Sequence, residues 1–169
     1  MSKLDPRRQT DSTVDRTPVD TVLKYIDYYN EPNTEGMYSL MSPDFTRVGA
    51  AQWGQPMKRD AYSDMSRRWN EAFDETNWEL IDMVADGNSV VCEFIESGIM
   101  ARPWAITDDR IVQPNGKRYM GRAIVWFTVN SAGLINTYRY YSDGGFGDAY
   151  GEEIAASGDE PLVTPAVVD

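Results

Sequence analysis

Residues 115–143 decide the fold of this chain and read NGKRYMGRAIVWFTVNSAGLINTYRYYSD. Two runs rich in aromatic and β-branched residues, 117–129 and 134–143, flank the glycine-containing turn Asn130–Gly133. This arrangement predicts a long antiparallel hairpin. Strands of this length usually lie in the middle of a curved sheet, with one face turned to a core or a pocket. We therefore interpret the hairpin as the wall of a binding cavity.

The composition indicates a globular protein with one folded domain. The chain has 169 residues, of which 41% are hydrophobic and 12% aromatic, enough to bury a core. We expect a tail over residues 1–16, a domain over residues 17–150 and an acidic tail over residues 151–169. A single cysteine, Cys92, and the lack of a signal region or a long apolar run favour a cytoplasmic location.

Charge and residue usage exclude several function classes. The formal net charge is -11, from 16 basic and 27 acidic residues, which disfavours nucleic acid and anionic membranes as partners. The chain contains no histidine, which excludes Ser-His-Asp and Cys-His catalysis and the usual zinc sites. No nucleotide-binding motif is present, so we expect no metal and no organic cofactor. Acid–base chemistry must then use carboxylates, tyrosines, lysines or arginines.

Helices precede the strands along the chain. Thr17, Pro18 and Asp20 form a helix start, and an apolar face continues at helical spacing to Tyr29. Periodicity and turn signals predict, in order, a helix over 34–41, a strand over 45–49, a helix over 59–73, and strands over 78–85 and 89–98. The segment Ile99–Pro114 is long for a loop and is a candidate lid. This order predicts an α+β fold with helices on one face of a curved antiparallel sheet.

Several short phrases resemble one known family. They are Ser42-Pro43-Asp44-Phe45, Asp86-Gly87-Asn88, the run Asn115–Tyr119, and the final run Leu134–Asp143. Together they resemble the SnoaL-like group of the nuclear-transport-factor-2-like superfamily over about Val19–Asp143. The resemblance implies a cone-shaped curved sheet with the N-terminal helices packed on its concave face around an internal pocket. Proteins of this fold include cyclases, isomerases, dehydratases, epoxide hydrolases and plain binding modules.

The resemblance also implies which residues line the pocket. From the helices they are Ile26, Tyr29, Trp69 and Phe73. From the sheet they are Arg47, Trp78, Leu80, Phe94, Glu96, Gly121, Ala123, Val125, Phe127, Tyr138, Tyr140 and Ser142. In particular, we expect Trp69, Phe73, Phe127 and Tyr140 to border one common cavity.

The chain departs from its relatives at the positions that carry catalysis. Cyclases and epoxide hydrolases of this group place a catalytic aspartate where this chain has Tyr140. The epoxide hydrolases have an arginine and an aspartate where this chain has Phe94 and Glu96. The histidines of the dehydratases have no counterpart, so neither mechanism transfers whole.

Three residues are the catalytic candidates, each with a structural alternative. Glu96 follows an apolar run and shares the face of Phe94, so a desolvated carboxylate there would be a useful base; alternatively it is a surface glutamate. Arg47 could pair with Glu96 and stabilise an enolate or phenolate, or face solvent beside Asp44. Tyr140 could be an acid, or an aromatic wall residue.

The sequence thus predicts a cofactor-free acid/base enzyme acting on a small hydrophobic or aromatic molecule such as a polyketide, terpenoid or phenolic. The reaction would be isomerisation, aldol-type cyclisation, or the retro-aldol or elimination reverse. The alternatives are an epoxide hydrolase and a non-catalytic ligand-binding module. A homodimer is also expected, because Met120, Ile124 and Trp126 lie on the sheet face opposite the pocket and need cover.

Overall fold

The computed structural model describes residues 16–49, 56–106, 111–114 and 116–142. The two expected tails, apart from Arg16, lie outside the described residues. So do Asn115, Asp143 and the last residues assigned to the domain.

Three helices form close to the predicted ranges, and α1 has the predicted N-cap. Helix α1 spans Pro18–Asn30, and its capping box joins the Asp20 amide to Thr17 Oγ1 at 3.2 Å and the Thr17 amide to Asp20 Oδ2 at 3.1 Å. Helix α2 spans Thr34–Ser39 and helix α3 spans Arg59–Ala72. Helix α2 ends before the expected residue 41 because Met41 already pairs with Ile135 in the sheet.

Eight strands complete the described fold. They are β1 (Met41–Gly49), β2 (Met57–Lys58), β3 (Phe73–Asp86), β4 (Ser89–Met100), β5 (Trp104–Ala105), β6 (Ile111–Val112), β7 (Arg118–Val129) and β8 (Ile135–Ser142). Six of them form one sheet in the order β2-β1-β8-β7-β4-β3, while β5 and β6 form a separate pair. The hairpin β7–β8, on which the sequence analysis depends, is confirmed in the middle of the large sheet.

Two details of the predicted sheet are wrong. The sheet is mixed and not purely antiparallel, because β1 pairs in parallel with β8. The segment Ile99–Pro114 is not a plain loop, since it contains the end of β4 and the β5–β6 pair. Strand β3 also begins at Phe73, earlier than expected, and register shifts between Asp74 and Asn77 accommodate the extra residues.

The core lies between the helices and the concave face of the sheet. Residues of β4 and β7 alternate strictly between buried and more exposed positions, as a sheet with one covered face requires. Tyr25 of α1 contacts Phe127 edge-on at 5.5 Å between ring centroids, and Phe127 contacts Tyr138 edge-on at 5.3 Å. A second, smaller apolar cluster contains Phe73, Met100, Trp104 and Tyr119 at the far ends of β3, β4 and β7. The candidate site lies between these two clusters.

Candidate functional site

A pocket with a volume of about 80 Å³ lies between the helices and the concave sheet face. Eight of the residues that were predicted to line the pocket are found in its wall. They are Tyr29, Arg47, Trp69, Trp78, Glu96, Tyr138, Tyr140 and Ser142. Exposed Ser142 and half-buried Asn70 are also part of its lining, so the pocket opens to solvent on their side. The sequence therefore identified most of the polar wall.

Glu96 is the buried acid of this pocket. Its side chain is buried, and both carboxylate oxygens accept hydrogen bonds from phenols. The Tyr29 hydroxyl donates to Oε1 at 2.6 Å, and the Tyr140 hydroxyl donates to Oε2 at 2.9 Å. Burial raises the pKa of Glu96 above its ordinary value, while the two phenols and the positive charge of Arg47 act in the opposite direction. The surface alternative for Glu96 is therefore excluded.

The register of the sheet explains how Tyr140 reaches Glu96 across an intervening strand. Glu96 of β4 lies opposite Gly121 of β7, and Ala123 lies between Phe94 and Ser142. Gly121 has no side chain and Ala123 has only a methyl group, so no bulky side chain projects from the concave face of β7 between β4 and β8. The Tyr140 side chain of β8 passes over it to the carboxylate.

Arg47 is buried on the same wall but does not form the expected ion pair with Glu96. Its guanidinium carbon lies 5.5 to 5.6 Å from the ring centroids of Tyr62, Tyr138 and Tyr140. Its Nη1 donates to the Gly49 carbonyl at 3.2 Å, and its buried Nε has no hydrogen-bond partner among the described residues. Tyr140 connects the two groups instead, since its ring lies near Arg47 and its hydroxyl donates to Glu96. The solvent-facing alternative for Arg47 is excluded as well.

Tyr29 and Trp78 form the opposite wall as a stacked pair, with ring centroids 4.1 Å apart. Asn30 fixes Trp78 from the end of α1: its Oδ1 accepts from the Trp78 amide at 2.7 Å, and its Nδ2 donates to the Trp78 carbonyl at 3.2 Å. Trp78 lies on the edge strand β3, whose outward backbone groups need such partners. The buried indole nitrogen of Trp78 makes no hydrogen bond of standard geometry to the described residues, but its N–H still favours the ionised form of Glu96 and lowers the pKa of that carboxyl.

Eight of the sixteen residues expected to line the pocket do not line it. Leu80 is 36% exposed, and Gly121, Ala123 and Val125 are buried on β7 outside the pocket lining. Ile26, Phe94 and Phe127 fill the main core, and Phe73 stacks against Trp69 at 3.8 Å in the second cluster. The expectation that Trp69, Phe73, Phe127 and Tyr140 share a cavity thus holds only for Trp69 and Tyr140. Strand parity places these side chains on the correct face, but it does not tell how deep along the strand the open space lies.

Six lining residues were missed: Met37, Tyr62, Met65, Ser66, Asn70 and Trp104. Most of them lie on α3, where residues 62, 65, 66, 69 and 70 follow the i, i+3, i+4, i+7, i+8 spacing of one helix face. That spacing would have indicated a pocket-facing stripe if the polar Ser66 and Asn70 had been included with the apolar positions. Trp104 lies on β5, which is only two residues long, Trp104 and Ala105, and is too short to give a strand pattern in the sequence.

The described residues contain no group of three or more His, Cys, Asp and Glu side chains that could hold a metal ion. Cys92 is buried in the core, and burial raises the pKa of its thiol to about 12, which makes it a poor nucleophile. Within the described ranges, no helix is long and apolar enough to cross a membrane.

Comparison with known proteins places these features in a family. A model of the SnoaL-like domain matches residues 22–138 of the chain. No curated protein gives a significant match.

Solved structures with similar folds include three bacterial proteins. AclR, a candidate hydroxylase from Streptomyces galilaeus, has a TM-score of 0.64 at 13% identity, covering 85% of this chain and 97% of its own. A candidate polyketide cyclase from Xanthomonas campestris has a TM-score of 0.63 at 17% identity, covering 90% and 100%. IdmH, a candidate polyketide cyclase from Streptomyces antibioticus, has a TM-score of 0.63 at 18% identity, covering 83% and 99%. At these identities the likeness shows the fold alone.

Proposed function

The chain belongs to the SnoaL-like domain family, and from this premise we propose that it is a cofactor-free acid/base enzyme acting on a small hydrophobic or aromatic molecule. The reaction is proton abstraction and return, which serves isomerisation, aldol-type cyclisation, or the retro-aldol or elimination reverse. The single observation that carries this proposal is a buried carboxylate, Glu96, held by two phenols at the wall of an open aromatic pocket.

Glu96 acts as the base in this proposal. A desolvated carboxylate with a raised pKa is a stronger proton acceptor than a surface glutamate, and each oxygen that accepts one phenol retains a further lone pair. Because the chain contains no histidine, few other groups in the pocket can accept a proton near neutral pH. The hydrogen bonds fix the carboxylate in place before substrate enters, so it needs no reorganisation.

Tyr140 acts as the acid. Its hydroxyl touches Glu96 Oε2 at 2.9 Å and its ring lines the pocket. A proton taken by Glu96 can therefore be shared with the Tyr140 oxygen, and Tyr140 can deliver a proton to an oxygen of the substrate. Arg47 supplies positive charge beside the same ring, which favours an enolate or phenolate that forms there.

The second candidate function is epoxide hydrolysis, with Glu96 activating a water molecule. Lining residues Glu96, Tyr140 and Asn70 provide polar groups for a water and for the epoxide oxygen. Only epoxide hydrolysis adds an oxygen atom, so a reaction in ¹⁸O-labelled water that gives a labelled diol identifies it.

The test is an assay of hydrogen–deuterium exchange, which detects proton abstraction without knowledge of the full reaction. A panel of aryl ketones and keto esters is incubated with the protein in D₂O and followed by NMR. We expect accelerated exchange at the carbon next to the carbonyl, and a loss of ~10²–10⁴-fold in Glu96→Gln, because glutamine keeps the size but cannot accept a proton.

Glu93→Gln is the matched control. Glu93 lies on the same strand but faces outward, where it pairs with Arg122, so its neutral form should exchange at the wild-type rate. Equal exchange by the wild type and Glu96→Gln would remove Glu96 from the mechanism. Tight ligand binding without exchange or hydrolysis for any compound would favour the non-catalytic binding module.

A further inference from the structure

Arg47 is a buried cation for which the described residues supply no carboxylate partner. Its side chain is only 6% exposed, and no ion pair joins it to any described acidic residue. Among the described residues, Arg47 makes one hydrogen bond, from Nη1 to the Gly49 carbonyl at 3.2 Å, and its buried Nε has no partner. Burying a charge is costly unless it is paired and hydrogen-bonded.

The surroundings of Arg47 stabilise the cation only in part. The faces of three tyrosine rings lie 5.5 to 5.6 Å from the guanidinium carbon. Ring faces attract a cation but carry no net charge and accept no strong hydrogen bond. The nearest buried carboxylate, Glu96, accepts hydrogen bonds from the Tyr29 and Tyr140 hydroxyls and forms no ion pair with Arg47. The chain has 27 acidic residues, yet the described fold places none of them against this arginine.

The partner that fits this site is an anion that enters with the ligand. Arg47 lines the pocket, and a guanidinium presents its N–H groups in a planar fork that matches the two oxygens of a carboxylate. One positive charge beside the negative charge of Glu96 suits a monoanion better than a doubly charged phosphate. The remaining wall is formed by Tyr29, Trp78 and Trp69, which suits a flat apolar body.

We propose that the natural ligand is an aromatic or alicyclic carboxylic acid whose carboxylate binds to Arg47. The pocket volume of about 80 Å³ is smaller than the roughly 150 Å³ cavity that holds benzene, so a larger ligand projects through the open side near Ser142. This inference rests on the proposed function for the identity of the ligand as a substrate, but the binding site itself is independent of turnover. Arg47 then binds the carboxylate of the ligand, and it can also stabilise an enolate or phenolate that forms during the reaction.

Binding of two probes of equal shape tests the proposal. Isothermal titration calorimetry compares 1-naphthoate with the neutral 1-naphthamide at neutral pH. We expect the wild type to bind naphthoate at least roughly tenfold more tightly, because a charge-assisted hydrogen bond replaces a neutral one. This preference would oppose the net charge of the protein, which is -11 and repels anions. Equal affinity for the two probes overturns the proposal without the use of any variant.

Three variants assign the preference to Arg47. In Arg47→Gln the affinity ratio should fall to about one, and Arg47→Lys should keep a part of it, since lysine retains the charge but not the fork. Arg59→Gln is the matched control: Arg59 also lies over a tyrosine ring, that of Tyr38, but is not part of the pocket lining, so the ratio should be unchanged. An unchanged ratio in Arg47→Gln overturns the proposal.

Glu96→Gln separates this inference from the proposed function. Removal of the negative charge near Arg47 should keep or increase the preference for naphthoate while abolishing exchange. A preserved preference in a wild type that catalyses no exchange would contradict the proposed enzyme activity and still support the carboxylate site. If the wild type shows no preference for naphthoate but catalyses exchange, the carboxylate site is contradicted and the proposed enzyme activity is supported.

Discussion

At the scale of single residues, the pocket depends on a carboxylate held between two phenols from opposite ends of the chain. Glu96 could be predicted from the alternation of β4, which places it on the face of Phe94. Its partners could not, because Tyr29 comes from α1 and Tyr140 from β8, and no local pattern relates either to Glu96. For the same reason the sequence suggested an Arg47–Glu96 pair that the structure replaces with tyrosine contacts.

Tyr29 should control the pH dependence of the proposed exchange reaction. Burial raises the pKa of Glu96, and the Tyr29 hydroxyl counteracts this by stabilising the ionised form. Since the ionised form is the base, the exchange rate should rise with pH through a pKa above the ordinary 4.5 of glutamate. Tyr29→Phe removes one stabilising hydrogen bond, so the pKa should rise further and the acid limb should move to higher pH, with a similar plateau beyond it.

The pH profile of kcat/KM for the exchange reaction measures this shift. Tyr28→Phe is the control, because Tyr28 lies next to Tyr29 but contacts Lys24 and not the pocket. An acid limb that stays in place or moves to lower pH in Tyr29→Phe would be inconsistent with Glu96 as the titrating base.

At the scale of secondary structure, the parallel pairing of β1 with β8 brings Arg47 to the site. Arg47 lies opposite Tyr138, and Gly49 lies opposite Tyr140. The hairpin β7–β8 was predictable from its own residues because its partners are close in sequence. The β1–β8 pairing was not, since the residues of β1 carry no sequence signal for a parallel partner that is distant along the chain.

Gly49 should be essential to this pairing. Its φ is +99°, and a Cβ at this position would lie 2.1 Å from the Tyr140 carbonyl oxygen. Gly49→Ala therefore combines backbone strain with a clash against main chain, and we expect it to lower the free energy of unfolding by roughly 3 kcal/mol or more. Urea denaturation measures the loss.

Gly87→Ala is the matched control for Gly49→Ala. Gly87 also has a positive φ, +55°, but nothing lies within 4 Å of an added Cβ. Its substitution should cost only the backbone penalty of about 1–2 kcal/mol. Equal destabilisation by the two substitutions would show that the contact with Tyr140 is unimportant.

At the scale of the whole molecule, the outer face of the sheet has apolar side chains that the described chain leaves exposed. Met120, Ile124 and Trp126 alternate along β7 with the buried residues of the core and are 63%, 43% and 42% exposed. We propose that a second copy of the chain covers this face, because these apolar side chains are exposed to water between the charged groups of Arg122 and Arg139. Sequence parity was sufficient to predict this exposure, since β7 keeps its alternation over its full length.

Analytical ultracentrifugation should show a dimer at micromolar concentration. Ile124→Glu places a charge at the centre of the face and should raise the dissociation constant more than tenfold. Leu23→Glu, at an exposed position on α1, should leave it unchanged. A wild type that sediments as a monomer at tens of micromolar would refute the dimer.

The parallel β1–β8 pairing also determines when the sheet can be completed during synthesis of the chain. Residue 47 pairs with residue 138, which the ribosome adds 91 residues later. At a translation rate of about 5–20 residues per second, β1 waits on the order of 5 to 20 seconds for its neighbour. During that interval Arg47 can pair with Met57 of β2 but not with Tyr138 of β8, so the pocket wall is incomplete until β8 has left the exit tunnel. A ligand of the proposed kind would then stabilise only chains that have completed the sheet, so its binding would follow the pairing of β1 with β8.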